Sequence, residues 1–457
     1  MKFLDDKLYL ETKTARKLYD EYAKGLPVVD YHSHLNADDI LSDRQYKNIA
    51  ELWLSGDHYK WRLMRACGAD ENYITGSADG REKFCAFARI LPLCAGNPVY
   101  TWCNMELKKY FGYTGEINED TANGIFELSE KVLAQKDMSV RGILERSGVE
   151  TLCTTDDPAD GLTAHAALRS AYKNVRVLPT FRPDKALNIG AESFRGYAQT
   201  LGGGAFKAFL EALEKRLVYF AGNGCVVSDH ALPEYVFESC TENEAGAIFG
   251  KRMNGESVTA LEQEKYKTFV LMVLARLYCE HNIAMQLHFN CSRNNNAEMF
   301  GGLGPDTGFD SIGRSSDPRK LAVFLNALDE RGYLPKTIVY SLDPGDNRLI
   351  HSVINCFQGA GKGKLQHGAA WWFNDTKTGI REHLRDLAEY GALGNFIGML
   401  TDSRSFTSYV RHDYFRRLLC GFVGDLVESG EYPNHPETLK QLIDGICYHN
   451  VKEYLGL

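Results

Sequence analysis

The 457-residue sequence has no apolar run of about 18 or more residues, so we expect no transmembrane helix. Residues 1–20 are charged throughout and lack the apolar core of a secretory signal, which predicts a cytoplasmic protein. The twelve cysteines include no Cys-x-x-Cys pair, and several lie inside apolar segments. This usage is typical of reduced, buried thiols rather than of a disulfide framework.

Excess positive charge is also missing, because 52 lysine and arginine residues face 60 aspartate and glutamate residues and give a net charge of −8. A nucleic-acid-binding surface needs clustered positive charge, so we expect no nucleic-acid partner. The missing apolar run likewise argues against a membrane partner. A few arginines in one cleft still suffice to bind a small anionic substrate. The composition, 44% hydrophobic and 25% charged, is that of an ordinary globular protein.

Motifs for nucleotide binding are absent as well. No Gly-x-Gly-x-x-Gly turn occurs, and the glycine run at 202–204 lacks the Lys-Ser/Thr of a phosphate loop. The chain instead has short apolar runs that alternate with helical patterns, which indicates βαβ units and a parallel sheet. Eight such units favour an α/β fold of the (β/α)8 barrel type. The predicted strands are residues 27–34, 149–157, 175–183, 224–230, 283–288, 337–343, 364–370 and 396–404.

One gap interrupts this alternation, because residues 35–148 separate the first two predicted strands. That stretch has a helical pattern with aromatic residues throughout, and it is far longer than one crossover helix. We therefore predict a TIM-like barrel with a helical insertion after strand 1. The predicted parts are 1–34, with the first strand; 35–148, as an insertion over the barrel mouth; and 149–457, as the rest of the barrel with C-terminal helices.

Two histidines, His32 and His34, end the first predicted strand. A separation of two residues along a strand puts both imidazoles on one face, about 6–7 Å apart along the backbone. Neutral imidazoles bind divalent metals. Asp402 ends the eighth predicted strand, which neighbours the first in a closed barrel. Its carboxylate would complete a three-ligand metal site; the alternative for Asp402 is a helix N-cap.

Together these residues resemble the amidohydrolase superfamily, and longer strings resemble one of its members, the uronate isomerase (glucuronate isomerase) family. The similarity covers essentially the whole chain. The matching strings are residues 30–35 (DYHSHL), 56–62 (GDHYKWR), 153–158 (CTTDDP), 179–184 (PTFRPD), 228–230 (SDH), 293–296 (RNNN), 303–310 (LGPDTGFD), 371–375 (WWFND) and 400–406 (LTDSRSF).

The resemblance implies an aldose–ketose isomerase that acts on a small uronic acid. It would interconvert D-glucuronate and D-fructuronate, and D-galacturonate and D-tagaturonate, by proton transfer through an enediol. The resemblance also implies that Arg182, Arg293 and Arg404 belong to the pocket, where guanidinium groups suit a substrate carboxylate. Which of the three arginines binds the carboxylate remains open.

Proton transfer through an enediol requires a base, an acid and a group that stabilises the enediolate oxygen. A divalent metal at His32, His34 and Asp402, by expectation one zinc ion, would polarise the carbonyl as a Lewis acid. Asp402 is also a candidate base. Tyr59, with His58 beside it, is a candidate for exchanging a proton with the sugar. The alternative is that Tyr59 packs under the insertion and that His58 caps a helix.

Asp229 and His288 end the fourth and fifth predicted strands. The resemblance makes His288 a metal ligand or a partner of a substrate hydroxyl, and we assign both residues to substrate binding. The fourth strand has no lysine that would bridge two metals, which favours a mononuclear site. We expect histidines without a comparable placement, including His351 and His367, to be structural.

Two alternatives to an isomerase stay open. A metal-dependent hydrolase of a sugar-acid lactone or amide would use His32, His34 and Asp402 equally well, since hydrolysis also needs a metal and a carboxylate. The three arginines and Tyr59 favour a free carboxylate with several hydroxyls. A non-catalytic sugar-acid-binding barrel would not need so many ionisable groups. Enzymes of this size often form symmetric homo-oligomers, although no patch in the sequence specifies one.

Overall fold

The computed structural model describes residues 3–359 and 361–457. Its strands are short, and the parallel strands are largely buried on both faces, as expected for a parallel sheet covered by helices. In chain order they are β1 (Val28–Asp30), β2 (Val149–Cys153), β3 (Arg176–Leu178), β4 (Val227–Ala231), β5 (Ala284–Phe289), β6 (Cys291–Ser292), β7 (Ser311–Ile312), β8 (Thr337–Ser341) and β9 (Leu365–His367).

The parallel strands form two adjoining sheets in the order β1-β2-β3 and β4-β5-β8-β9. A parallel bridge between Phe181 and Ser228 joins them, because the Phe181 amide donates to the Val227 carbonyl and the Asp229 amide donates to the Phe181 carbonyl. The seven strands therefore follow one another around a wall in chain order. Strands β6 and β7 form a separate two-residue antiparallel pair above it.

The predicted eighth strand, 396–404, is extended but forms no regular strand within the described residues. Gly398 has φ +80°, and a Cβ atom there would lie 2.2 Å from the Ile446 carbonyl oxygen, so the backbone bends where a strand would run straight. The segment still closes the wall against the first strand. The Asp402 amide donates to the His32 carbonyl, and the His34 amide donates to the carbonyl of Ser403. The fold is therefore an α/β barrel whose eighth position is an irregular extended segment.

Helices cover the outside of this wall. They are α1 (Lys13–Leu18), α2 (Ala37–Leu41), α3 (Ile49–Leu54), α4 (His58–Ala66), α5 (Gly80–Ile90), α6 (Pro98–Phe111), α7 (Glu119–Leu133), α8 (Val140–Arg146), α9 (Thr163–Ala171), α10 (Asp184–Leu187), α11 (Phe194–Leu201), α12 (Phe206–Gly222), α13 (Glu242–Met253), α14 (Ala260–His281), α15 (Ala297–Leu303), α16 (Arg319–Asp329), α17 (Asn347–Ile354), α18 (Lys377–Tyr390), α19 (Val410–Glu428), α20 (Pro436–Asp444) and α21 (Asn450–Leu455). Within the described residues, none of these helices has the length and apolar character needed to cross a bilayer.

The segment between β1 and β2 carries seven of these helices, α2 to α8. Helix α4 begins at His58, and the Asp57 carboxylate caps it by accepting from the Tyr59 and Lys60 amides. Arg62 on this helix donates to the Gly308 carbonyl at 2.8 Å, which ties α4 to the segment between α15 and β7. The cap and this tie fix the position of the first turn of α4. The division of the chain at residues 34 and 148 stays a prediction.

Candidate active site

The floor of the site is built from the first and eighth segments of the barrel. The Nε2 atoms of His32 and His34 lie 3.2 and 3.1 Å from the same oxygen, Oδ1 of Asp402. Asp402 has a left-handed backbone conformation, with φ +46°, which follows from the bend that turns the eighth segment toward the histidines. The three side chains predicted as metal ligands therefore converge on one point.

The protonation states at this point follow from burial and from the carboxylates. Burial lowers the pKa of His34 to about 4, so that imidazole is neutral and has a free lone pair. Burial also opposes protonation of His32, but Asp229 and Asp402 outweigh it and raise the pKa of His32. Burial would raise the pKa of Asp402, yet its two histidine partners hold that pKa well below its usual range. Asp402 is therefore an anion.

A second cluster lies directly below and shares His32 with the first. Oδ1 of Asp229 lies 2.7 Å from Nδ1 of His288, and Oδ2 lies 2.8 Å from Nη1 of Arg182. Oδ2 is also 3.9 Å from Nδ1 of His32. Burial would raise the pKa of Asp229, but Arg182 and His288 outweigh it and keep that pKa well below its usual range. The Nε2 atom of His288 is buried and has no hydrogen-bond partner in the described part of the chain.

The wall opposite carries the other two predicted arginines. Nη1 of Arg293 lies 2.8 Å from Oδ2 of Asp310 and 3.4 Å from Oδ1 of Asp306. Nη2 of Arg404 lies 2.9 Å from Oδ2 of the same Asp306. The guanidinium of Arg293 also stacks over the ring of Trp372, 5.2 Å from its centroid. Two cationic side chains are thus held together at the rim by one carboxylate.

The roof of the site is the first turn of α4. The rings of His58 and Tyr59 stack with a centroid separation of 5.0 Å, and His58 also contacts Trp372 at 5.1 Å. The hydroxyl of Tyr59 is buried without a hydrogen-bond partner among the described residues. Burial raises the pKa of Tyr59 well above its ordinary value, and burial lowers the pKa of His58. Tyr59 is therefore a protonated phenol, and His58 is neutral.

All these parts surround one cavity of about 460 Å³, a volume suited to a small polar ligand. Nine of the ten predicted site residues line it, namely His32, His34, His58, Tyr59, Arg182, His288, Arg293, Asp402 and Arg404. The exception is Asp229, which lies beneath the cavity and contacts Arg182 and His288 from below. The cavity therefore presents nitrogen and oxygen donors on its floor, guanidinium groups on its walls and a phenol in its roof.

The chain matches known proteins of one family over its full length. The family model for glucuronate isomerase matches residues 1–455. The chain belongs to the glucuronate isomerase family. A uronate isomerase from Caldicellulosiruptor saccharolyticus is 48% identical over 463 positions, covering 100% of this chain and 99% of that protein. A uronate isomerase from Lachnospira eligens is 46% identical, with 99% of both chains covered.

Solved structures in the glucuronate isomerase family have the same architecture. The crystal structure of a uronate isomerase from Thermotoga maritima superposes with a TM-score of 0.94 at 37% identity, with both chains fully covered. A glucuronate isomerase from Caulobacter crescentus gives a TM-score of 0.92 at 25% identity, covering 100% of this chain and 97% of that one. The predicted enzyme class, an aldose–ketose isomerase of uronates, is confirmed, and the hydrolase alternative is not favoured.

Sequence reasoning gave no role to several residues that also line the cavity of this isomerase. Asp156 and Asp306 fall within the matching strings, directly after a strand or in a loop, so their position was a usable signal. Burial raises the pKa of Asp156 to about 6. Arg411 lies in α19 outside every string, yet its guanidinium is 5.1 Å from the ring centroid of Tyr59. Only the tertiary fold identifies Arg411.

Proposed function

We propose that this isomerase interconverts D-glucuronate with D-fructuronate, and D-galacturonate with D-tagaturonate. The observation that carries the proposal is the convergence, around one cavity of about 460 Å³, of a three-donor metal set, a buried phenol and three guanidinium groups. A six-carbon sugar acid needs each of these features: a cation for its carboxylate, a site of charge stabilisation, and a proton donor near its reacting carbons.

A single divalent metal, zinc by preference, is proposed at His32, His34 and Asp402. The donor set fits, since two imidazole nitrogens lie within 3.2 Å of one carboxylate oxygen and each residue offers a ligand atom to a common point. When bound, the ion supplies Lewis-acid stabilisation of negative charge on a substrate oxygen.

We propose that His288 contacts a substrate hydroxyl or adds a further ligand, because its buried Nε2 lacks a hydrogen-bond partner among the described residues. Asp229 then acts from below. One oxygen of its carboxylate lies 2.7 Å from Nδ1 of His288 and the other lies 2.8 Å from Nη1 of Arg182, and these charge contacts favour the ring orientation in which Nε2 of His288 faces the cavity. This assignment makes Asp229 a positioning residue rather than a direct substrate contact.

The arginines are proposed to hold the substrate carboxylate. Nε of Arg182 already pairs with Asp184 at 2.7 Å, and Nη1 pairs with Asp229, which leaves Nη2 to bind a ligand. Arg293 and Arg404 share Asp306 across the rim, so two adjacent guanidinium groups are available to one carboxylate. We therefore assign the carboxylate to the pair Arg293 and Arg404, and a hydroxyl to Arg182.

Proton transfer is proposed to use Asp402 and Tyr59. The carboxylate of Asp402 takes the proton from carbon two of the aldose and returns it to carbon one. The phenol of Tyr59, protonated because of its burial, donates to the carbonyl oxygen at carbon one and recovers a proton from the hydroxyl at carbon two. His58 holds the Tyr59 ring by stacking against it.

Proton NMR of D-glucuronate and D-galacturonate incubated with the protein in heavy water would test this function. We expect ketose signals from one or both uronates, with deuterium at the carbon that receives the solvent-exchanged proton. Binding without a ketose would contradict catalysis. Turnover of a uronolactone without isomerisation of the free acid would instead support the hydrolase.

We further propose a cytoplasmic, homo-oligomeric protein. Twelve free cysteines suit a reducing compartment, since none of them is engaged in a disulfide. Closed symmetric oligomers are common among enzymes of this length. Gel filtration with light scattering would measure the oligomeric state directly.

A further inference from the structure

Three histidines meet outside the cavity, between the barrel wall and the two helices that follow it. His367 is the last residue of β9, His351 lies in α17, and His383 lies in α18. All three are buried, with exposed fractions of 3% or less. None of them lines the cavity of about 460 Å³ at the barrel mouth. The cluster is therefore separate from the isomerase site.

The ring nitrogens of this cluster are close enough to share one ion. Nε2 of His351 lies 3.1 Å from Nδ1 of His367, where one ring donates a hydrogen bond to the other that a bound ion would replace, and ligand atoms from all three residues lie within 4.8 Å of one another. Two nitrogens bound to tetrahedral zinc at 2.0–2.1 Å are about 3.3 Å apart. One pair thus already has about the required separation, and the third nitrogen, which lies within 4.8 Å of the others, would have to move closer by ring rotation.

The protonation state and the hydrogen bonding of the cluster favour a ligand. Burial lowers the pKa of His351 to about 4 and that of His383 to about 3, and it lowers the pKa of His367 still more clearly, so all three imidazoles are neutral. Nε2 of His383 is buried and has no hydrogen-bond partner in the described residues. A buried, unpartnered ring nitrogen beside two others costs free energy unless something binds it.

We propose that His351, His367 and His383 form a second metal site, which binds a divalent d-block cation such as zinc through three neutral imidazoles. The nearest charge compensation is Asp386, a buried carboxylate on α18 whose field acts on His351 and which the exposed side chain of Arg348 also approaches at 3.3 Å. Imidazole ligands suit zinc, copper, nickel and cobalt rather than magnesium or calcium. With three ligands from three different elements, the ion would have a structural role.

The position of the cluster indicates which structural elements such an ion would hold together. Strand β9 is the terminal strand of its sheet, and the irregular eighth segment follows it around the barrel. The ring of His383 also contacts Phe396 of that segment, with centroids 5.4 Å apart. An ion here joins β9 to α17 and α18 at the seam of the barrel. Four residues after His367, the chain reaches Trp371, which lines the active-site cavity.

Metal stoichiometry tests the proposal independently of catalysis. The full chain is stripped with a chelator, and zinc is titrated in competition with a chromophoric chelator. We expect two equivalents of zinc in the parent protein, one in His32→Ala/His34→Ala, and one in His383→Phe. We expect none when all three substitutions are combined. His165→Phe is the matched control, because His165 is another buried histidine, and it should retain two equivalents.

His351→Gln provides a second variant in case phenylalanine at 383 disturbs packing, and retained isomerase activity reports a native barrel in both. Cobalt replacing zinc in His32→Ala/His34→Ala should give visible d–d absorption that His351→Gln removes. A parent protein that saturates at one equivalent, with that equivalent lost in His32→Ala/His34→Ala and kept in His383→Phe, would overturn the proposal. So would triad variants that bind as much zinc as the parent, since the three histidines would then only pack against one another.

Discussion

The indole of Trp371 donates from Nε1 to Oδ2 of Asp402 at 2.7 Å, while Oδ1 of that carboxylate faces the two histidines of the floor. The two oxygens of Asp402 thus have separate partners on opposite sides. The segment after β9 supplies the donor, and the segment after β1 supplies the imidazoles. These contacts on its two oxygens fix the plane of the Asp402 carboxylate. Trp371 therefore orients Asp402, the proposed metal ligand and base, and among the described contacts it makes no hydrogen bond to His32 or His34.

Trp371→Phe should lower kcat about 10- to 100-fold and weaken zinc binding, because hydrogen bonds to a ligating group typically contribute that much. Phenylalanine keeps an apolar ring in the same place and removes only the donor. Steady-state kinetics and zinc titration measure the two effects. Trp53→Phe is the control, since Trp53 is buried away from the cavity and its indole nitrogen has no hydrogen-bond partner in the part of the chain described. Equal losses in both variants would assign the effect to packing.

His32→Ala should affect the site more than His34→Ala, because His32 lies against both Asp402 and Asp229, whereas His34 lies against Asp402. Each variant should lose one equivalent of zinc, and His32→Ala should in addition leave Asp229 with one contact fewer. Elemental analysis of purified protein and circular dichroism check metal content and fold together. Unchanged metal in both variants would refute the ligand assignment.

The arginine pair at the rim predicts a binding defect. Removing a guanidinium from a paired carboxylate costs about 2–5 kcal/mol of binding free energy, which corresponds to a loss of affinity of roughly 30- to 5000-fold. For Arg404→Met we expect an increase in KM near the lower bound, because 35% of the Arg404 side chain is exposed. The KM of Arg293→Met should rise to a similar extent. In the double variant, the loss of binding free energy should be smaller than the sum of the two single losses, since both arginines pair with Asp306.

Initial rates over a range of D-glucuronate concentrations measure these effects. Arg319→Met is a suitable control, because Arg319 pairs with Asp317 on the exposed surface. An unchanged KM in Arg293→Met and Arg404→Met would mean that Arg182, and not this pair, binds the substrate carboxylate.

Tyr59→Phe should lower kcat by about 10²–10⁴-fold with little change in KM, as expected for loss of a general acid. The substitution keeps the ring that stacks on His58 and removes a hydroxyl that has no partner among the described residues. Tyr46→Phe, another buried tyrosine of the insertion, should retain full activity. Near-native turnover by Tyr59→Phe would reduce Tyr59 to a packing residue.

The sequence predicted where the strands lie along the chain, but it placed several strand ends too late: β2 ends at Cys153 rather than at 157, and β3 ends at Leu178 rather than at 183. His32, His34 and Asp402 could be placed together because parallel strands end on one face of a barrel, whatever the details of each strand. The irregular path at Gly398 could not be foreseen, since it depends on the approach of Ile446 from the C-terminal helices. Arg411 was missed for the same reason: its contact with Tyr59 joins a late helix to the insertion.

The histidines give the last prediction, on stability against pH. Burial lowers the pKa of His165 to about 4, and this ring bonds Thr154 at 2.8 Å, with Asp156 at 3.7 Å. The unfolded chain takes up a proton near pH 6.5, whereas the folded chain resists it until about pH 4. The contribution of His165 to the free energy of unfolding should therefore be fully retained above pH 6.5 and should fall by up to about 1.4 kcal/mol per unit between pH 6.5 and pH 4, in addition to the contributions of the other buried histidines.

His165→Gln removes this titration while preserving a polar group for Thr154, so its stability should fall less steeply on the acid side. Urea-unfolding midpoints from pH 4 to pH 8 for both proteins measure the difference. Burial raises the pKa of Asp156 to about 6, which acts in the opposite direction, but both proteins contain Asp156 and its effect largely cancels in the comparison. Parallel profiles for the parent and His165→Gln would mean that His165 is protonated as readily in the folded chain as in the unfolded one, and that its burial carries no acid sensitivity.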